Sequence, residues 1–77
     1  MKKLLIILFS LLLFLHGQDY QKGYNYYING KYELSVDYFT KAISKDSNNL
    51  SLYTIRGLSY KSLNSHELAI DDYTKSI

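Results

Sequence analysis

The sequence predicts an all-α fold in which two antiparallel helix-turn-helix repeats stack on each other. When the 77-residue chain is aligned with itself at an offset of 34, residues 16–43 face residues 50–77, and 8 of the 28 pairs are identical. The identical pairs are Gly23/Gly57, Tyr26/Tyr60, Glu33/Glu67, Leu34/Leu68, Asp37/Asp71, Thr40/Thr74, Lys41/Lys75 and Ile43/Ile77. The apolar residues recur at steps of three and four, which is the spacing of one helix face. Such a repeat predicts a short α-solenoid.

Residues 1–17 have the features of a secretory signal peptide. Two lysines follow Met1, and the next 12 residues, from Leu4 to Leu15, are apolar apart from one serine. As a helix this run would be about 18 Å long, which is too short for the roughly 30 Å hydrocarbon layer of a membrane. His16-Gly17 is expected to break the run, and the small Gly17 suits the position before a cleavage site.

The expected outcome of this leader is export, with cleavage between Gly17 and Gln18. Because the leader resembles a bacterial one, we expect the protein in the periplasm or outside the cell. It would then meet the membrane only through the signal segment during export. An uncleaved short anchor is the alternative.

The first repeat, residues 18–49, is predicted to form a helix over residues 19–28, a turn at Asn29-Gly30 and a second helix over residues 31–44. The apolar positions on one face of that second helix are Tyr32, Val36, Phe39, Ala42 and Ile43. A polar linker follows over residues 45–49. The second repeat, residues 50–77, is predicted to form a helix over residues 50–63, a turn at Asn64-Ser65 and a helix that continues through Ile77.

Capping residues are predicted at the start of each second helix. Asn64 has the chemistry of an N-cap, and Glu67 lies three residues on, where its carboxylate can bond to the N–H of the cap. Gly30 and Glu33 stand at the same offset in the first repeat. A glutamate near a helix start also suits the positive end of the helix dipole.

The repeat resembles the tetratricopeptide repeat (TPR), whose 34-residue period and motif it shares. The Gly-x2-Tyr element of that motif matches Gly23/Tyr26 and Gly57/Tyr60, the Ala-x3-Phe element matches Ser35/Phe39 and Ala69/Tyr73, and the later small residue matches Ala42 and Ser76. The resemblance implies that the glycines and alanines let paired helices approach while the aromatic residues fill the space between them. The implied packing residues are Gly23, Tyr26, Phe39, Ala42, Gly57, Tyr60, Ala69 and Tyr73.

The first repeat is the weaker match to this family. The early aromatic position holds Asp19 in the first repeat and Tyr53 in the second. The leucine before the glycine is replaced by Lys22 and Arg56, and the proline of the loop is replaced by Ser47.

The resemblance also implies a groove that binds a protein or peptide and is lined by the first helix of each repeat. Carried over by position, the groove residues are Tyr20, Tyr24 and Tyr27 from the first repeat and Thr54, Leu58 and Lys61 from the second. Tyrosine offers a large contact area and a hydroxyl that still hydrogen-bonds. The alternative is that these tyrosines pack against a neighbouring repeat or stay solvated. The lysine and asparagines with which some family members hold a C-terminal carboxylate are absent, since Tyr20, Tyr24 and Ile55 stand at their positions.

Composition argues against several other functions. Seven basic and seven acidic residues follow the leader, so the exported part has no net charge and no basic surface for nucleic acid. The chain has no cysteine, which excludes disulfides and the usual cysteine-based zinc sites.

A catalytic or metal site is not expected either. His66 is the one histidine after the leader, and its counterpart Tyr32 is a packing position, so we expect a half-buried histidine rather than a metal site with Glu67 and Asp71. One histidine makes no Ser-His-Asp triad, and the sequence has no glycine-rich phosphate loop. The prediction is a protein that is not an enzyme and has no cofactor and no metal.

Two expectations remain for the whole protein. Repeat arrays bury their core between neighbours, and three or more units are usual. The two repeats are therefore expected either to be the N-terminal region of a larger exported sensor or enzyme, whose active domain lies beyond residue 77, or to associate with themselves or a partner. The function predicted for the repeats is protein–protein interaction, as a scaffold or assembly factor.

Overall fold

The computed structural model describes residues 2–77, without the side chains of Lys2 and of residues 9–16. Met1 and the side chain of His16, both part of the predicted leader, lie outside the described residues. Over residues 2–77 the chain forms four helices and no strand: α1 (Lys2–Ile28), α2 (Tyr32–Lys45), α3 (Leu50–Ser62) and α4 (His66–Ser76). α1 packs against α2, α2 against α3, and α3 against α4. The predicted all-α arrangement of two stacked helical hairpins is confirmed.

α1 is much longer than the helix predicted over residues 19–28, because it begins at Lys2. The apolar run ends at His16-Gly17, but the helix continues through these two residues. One glycine inside a helix costs only about 1 kcal/mol relative to alanine, and the leucine-rich run before it favours helix. The side chains from Leu4 to Leu8 are 49–67% exposed, so these five residues take no part in the core of the repeats. Among the described residues, no helix is both long and apolar enough to cross a membrane.

Each hairpin turns through one residue with a left-handed backbone. Gly30 has a φ of 76° and Asn64, 34 positions later, has a φ of 61°. The N–H of the next residue donates to the carbonyl five residues back, at 2.8 Å from Lys31 and 2.9 Å from Ser65. These bonds form the Schellman motif, which satisfies carbonyl groups at the end of a helix.

The N-caps predicted at Asn64 and Gly30 are wrong. The N-cap residues are Ser65 and Lys31, and neither makes a side-chain capping bond. Because the N–H of Ser65 already donates to the end of α3, it is not left for the carboxylate of Glu67. Asparagine favours N-caps, but it is also one of the few residues besides glycine that adopt a left-handed backbone. Asn64 therefore forms the left-handed turn residue between α3 and α4, and it is not the N-cap of α4.

The hydrophobic core lies between the two hairpins. Phe39, Ala42 and Ile43 of α2 form a buried cluster with Leu52 of α3, and none of the four is more than 9% exposed. Half-buried Tyr27, Tyr53 and Ile55 pack around this cluster. The core is thus shared by both repeats, as expected of stacked hairpins that cannot bury their apolar faces alone.

The face predicted for α2 is confirmed, since Phe39, Ala42 and Ile43 are buried while Tyr32 and Val36 are half-buried. The corresponding prediction for the last helix is only partly right. The helix was predicted to continue through Ile77, but α4 ends at Ser76, and Ile77 is fully exposed.

Glycine allows the two helices of each hairpin to approach closely. A Cβ atom on Gly23 would lie 3.1 Å from the ring of Phe39, and one on Gly57 would lie 2.8 Å from the ring of Tyr73. These two contacts stand 34 positions apart in the chain. Any larger residue at either glycine would have to displace the ring that packs on it.

Candidate functional site

The six predicted groove residues lie on one face of α1 and the equivalent face of α3. In each helix they are spaced four and then three residues apart, which keeps them on the same side. The exposed members are Tyr20, Tyr24, Thr54, Leu58 and Lys61, and Tyr27 is half-buried. This face therefore offers aromatic and aliphatic surface to solvent.

Tyr20 and Tyr24 form a pair of stacked rings on this face. Their centroids are 6.3 Å apart, with 11° between the ring planes. Tyr20 also contacts Phe39 edge-on at 6.1 Å, and Phe39 is fully buried. The two tyrosines remain 36% and 43% exposed. The contact with the core fixes the orientation of Tyr20, and the stack extends that order to Tyr24.

Tyr27 is shared between this face and the interior of the fold. Its ring meets the ring of Tyr32 at 5.7 Å and 63°, and it packs against the core cluster. Since Tyr32 begins α2, this contact also joins the two ends of the first hairpin turn. Tyr27 therefore has a packing role that its position in the motif did not reveal.

A cleft of 530 Å³ opens beside Tyr20, between α1 and the start of α3. Tyr20 forms one wall, and the buried side chains of Ala42 and Leu52 form the floor. The polar residues at the rim are Lys45, Asp46, Asn49 and Ser51. Sequence reasoning missed this cleft, because its lining comes from both repeats and from the linker between them.

An ion pair ties the end of α2 to α1 next to this cleft. The Nζ atom of Lys45 lies 2.6 Å from a carboxylate oxygen of Asp19. Asp19 occupies the position where the motif has an aromatic residue, so a departure from the motif is used here for an ion pair. The partners are 26 residues apart, and no local spacing rule could have found them.

Arg56 joins three helices on the other side of the fold. Its Nε and Nη2 atoms donate to the two carboxylate oxygens of Asp72 at 2.8 and 2.7 Å, and its Nη1 atom donates to Thr40 at 3.1 Å. The guanidinium also lies 5.7 Å from the ring centroids of Tyr53 and Tyr60. The hydrogen bonds to Asp72 raise the pKa of Arg56, and burial opposes that shift. The sequence marked Arg56 only as a departure from the motif.

The equivalent junction of the first repeat has different chemistry. Lys22 stands at the position of Arg56, and Tyr38 stands at the position of Asp72. The Nζ atoms of Lys22 and Lys41 lie 5.5 and 4.5 Å from the centroid of the Tyr38 ring. Tyr26 stacks on the same ring at 5.5 Å. An aromatic ring in contact with two cations thus stands where the second repeat has a carboxylate.

A buried hydrogen bond connects the two repeats. The hydroxyl oxygens of Ser35 on α2 and Ser59 on α3 are 2.9 Å apart, and both residues are fully buried. Ser59 also donates to the carbonyl of Ile55 at 3.3 Å, so Ser35 is the donor in the bond between the serines. This bond helps to fix how one hairpin sits on the other.

His66 lies at the first position of α4 and is exposed, so the prediction of a half-buried histidine is wrong. The first turn of α4 extends beyond the packed part of the fold, and Ala69 is the first residue of this helix whose side chain is buried. Among the side chains that the structure describes, no group of three from histidine, aspartate and glutamate is placed to hold a metal ion.

The predicted packing residues lie along the contacts within and between the hairpins. Gly23, Phe39, Ala42, Gly57 and Ala69 are buried, and Tyr26, Tyr60 and Tyr73 are half-buried. The tetratricopeptide repeat family model matches the chain twice, at residues 20–49 and at residues 50–77. No curated protein and no solved structure gives a significant match. With two family matches over two stacked helical hairpins, the chain belongs to the tetratricopeptide repeat family.

Proposed function

We propose that this chain is an exported TPR module that binds a protein partner through the exposed face of α1 and α3, as a scaffold or assembly factor. Tetratricopeptide repeats generally mediate protein–protein interaction, and stacked repeats present extended binding surfaces. The observation that carries the proposal is the exposed, stacked ring pair of Tyr20 and Tyr24 on that face.

The chemistry of this face suits a protein ligand. Ordering flexible side chains opposes binding, and the ring of Tyr20 is already held by Phe39. Across the face, Leu58 is 36% exposed and adds aliphatic area. Lys61 is the single charged residue among the six, so an apolar segment with few basic residues is the favoured partner.

The export part of the proposal is supported by the leader and by how the described part of it packs. Leu4 to Leu8 are largely exposed, and the core cluster draws its residues from α2 and α3. Removal of the leader would therefore leave that cluster in place. The test is the mass of the exported product and of its N-terminal peptide. A product that begins at Gln18 is expected, and one that retains Lys2 and Lys3 would contradict cleavage.

In this proposal the repeats bind and do not catalyse. The buried polar residues of the described chain are Ser35, Ser59 and Asp72. Each of them makes a hydrogen bond between helices, to a partner named above. Their chemistry is accounted for by holding the fold together.

Partner binding is tested by placing a photo-crosslinking amino acid at single positions in the producing cell. Position 24, on the proposed face, is expected to give a defined protein adduct. Position 34 on α2 is the matched control, because Leu34 is 41% exposed and Tyr24 is 43% exposed. Equal adducts at the two positions, or none at position 24, would count against this face.

A further inference from the structure

We infer that the cleft beside Tyr20 is an anchor subsite that takes one bulky apolar side chain, aromatic by preference, from an extended segment of the partner protein; this inference rests on the proposed function. The subsite would lie at one end of the proposed face, where the two repeats meet. Of the residues that line it, Tyr20 alone is among the groove positions carried over from the family.

The size and floor of the cleft fit such a side chain. Its volume of 530 Å³ lies within the range of about 300–1,000 Å³ that is typical of sites for a whole small ligand, so the cleft has room for one bulky side chain and the backbone beside it. Ala42 and Leu52 at the floor are 5% and 3% exposed, and Tyr20 beside them is 36% exposed, so the ring supplies much of the apolar surface that an entering side chain would meet. An apolar side chain that enters the cleft would exchange water for this apolar surface.

The wall favours an aromatic side chain. Tyr20 is held by its edge contact with Phe39 and its stack with Tyr24, at 6.1 and 6.3 Å between centroids. A ring that is fixed in this way can stack with an incoming ring without losing further freedom, and aromatic pairs gain more than their buried area alone. An aliphatic side chain of the same size would gain only the burial.

The rim suits the backbone of a peptide better than an isolated charge. The charge of Lys45 is matched by Asp19 at 2.6 Å, and the exposed carboxylate of Asp46 can accept a hydrogen bond from the N–H of a peptide. Asn49 makes no capping bond to α3, and its Oδ1 atom instead accepts from the hydroxyl of Ser51 at 2.6 Å. Amide and hydroxyl groups at the rim both donate and accept hydrogen bonds, as the amides of an extended peptide require.

Small residues keep the cleft open. Gly17, the last residue of the leader, and Ser51 of the second repeat stand 34 positions apart, and both line the cleft. A Cβ atom on Gly17 would meet nothing within 4 Å. If cleavage removes Gly17, the opening widens, while the wall at Tyr20 and the floor remain.

The test is an NMR titration of isotopically labelled protein purified from cells that express the whole chain. The probe is N-acetyl-L-phenylalanine amide, and the comparison probe is N-acetyl-L-alanine amide. We expect saturable shifts for Tyr20 and residues 42–52 with the phenylalanine probe, and binding weaker by about ten-fold or more with the alanine probe. Equal responses to the two probes would overturn the subsite.

Two substitutions on the same helix face sharpen the test. Ser51→Phe fills the cleft and is expected to weaken binding of the phenylalanine probe by about ten-fold or more. Ser62→Phe is the matched control, because eleven residues is three turns of α3, and Ser62 is exposed away from the cleft. If Ser51→Phe does not fold, Tyr20→Ser removes the aromatic wall of the cleft instead. This substitution is also expected to weaken binding of the phenylalanine probe by about ten-fold or more. If Tyr20→Ser binds the phenylalanine probe as tightly as the natural chain does, the subsite is overturned.

These results are separate from the fate of the proposed function. If position 24 gives a crosslinked partner but the phenylalanine probe does not bind in the cleft, the proposed binding face stands and the anchor subsite is overturned. If the phenylalanine probe binds in the cleft but position 24 gives no crosslinked partner, the proposed binding face is overturned. The assignment of the cleft to a segment of the partner protein is then overturned as well.

Discussion

Arg56 and Asp72 form a doubly hydrogen-bonded ion pair between α3 and α4, at the positions that Lys22 and Tyr38 occupy between α1 and α2. The carboxylate of Asp72 is almost wholly buried, at 2% exposure. In the first repeat the cation lies over an aromatic ring instead, 5.5 Å from its centroid. Two chemically different contacts therefore close the same junction, and the two repeats are not equally tolerant of substitution there.

Removal of the acidic partner is predicted to destabilise the second hairpin strongly. Asp72→Ala leaves the guanidinium of Arg56 without its partner, and breaking a buried pair from one side costs about 3 kcal/mol or more of the free energy of unfolding. The measurement is urea unfolding followed by circular dichroism. Asp71→Ala is the matched control, because Asp71 is the exposed neighbour on the same helix. Equal losses for the two variants would contradict the role of the pair.

The first repeat supplies a rescue for this variant. The double substitution Arg56→Lys with Asp72→Tyr imports the pair found at Lys22 and Tyr38. It leaves no charge buried without a partner, and we expect it to lose less stability than Asp72→Ala.

The contribution of Arg56 is predicted not to depend on pH across the neutral range. Its pKa in the folded protein is raised, chiefly by the hydrogen bonds to Asp72. A group with a raised folded pKa contributes its full stability below its unfolded pKa and loses it as the pH rises through its folded pKa, and for arginine both pKa values lie far above the neutral range. The difference in unfolding free energy between the natural chain and Arg56→Gln is therefore expected to be the same at about pH 6 and about pH 9. A difference that changes between these two pH values would show that another titrating group is coupled to Arg56.

Periodicity predicted much of this fold, because it reports local structure that the repeat requires twice. The second and third helices, expected over residues 31–44 and 50–63, are found at Tyr32–Lys45 and Leu50–Ser62. Local chemistry was less reliable at the turns. Asn64 suits both an N-cap and a left-handed turn, and only the position of the preceding helix end decides between them.

The contacts between distant segments could not be predicted from spacing. The pair of Asp19 and Lys45 depends on how α1 and α2 pack within the first hairpin, and the cleft beside Tyr20 depends on how the two hairpins stack. No residue spacing along a single helix encodes either arrangement. Arg56 was visible as a departure from the motif. Its partner was not, because the equivalent of Asp72 in the first repeat is a tyrosine.

The buried bond between the repeats is predicted to show strong coupling. Ser59→Ala leaves the hydroxyl of Ser35 buried without its partner, and we expect a loss of about 1–3 kcal/mol in the free energy of unfolding. The double variant with Ser35→Ala removes both hydroxyls and is expected to be closer to the natural chain than Ser59→Ala alone. Urea unfolding of the two single variants and the double variant measures this coupling. Strictly additive losses would mean that the serines do not depend on each other.

Close approach of α3 and α4 predicts that residue 57 must stay small. A Cβ atom at Gly57 would lie 2.8 Å from the Tyr73 ring and 3.3 Å from Cβ of Asp72, so Gly57→Leu is expected to destabilise the chain by about 1–3 kcal/mol. Ser62→Leu is the matched control, since it adds the same side chain to an exposed position of α3. A melting temperature for Gly57→Leu that equals that of Ser62→Leu would contradict the packing.

The binding face is tested most directly at Tyr24, which is 43% exposed and stacks on Tyr20. Tyr24→Ala is expected to weaken binding of the crosslinked partner by about ten-fold or more, because exposed aromatic residues supply much of the energy of protein interfaces. Urea unfolding of this variant should change little, since no buried contact is lost. Leu34→Ala on α2 removes a side chain of similar exposure and should leave binding unchanged. Unaltered binding by Tyr24→Ala would move the interface away from α1, whereas weaker binding together with a large loss of stability would place the ring in the fold rather than in the interface.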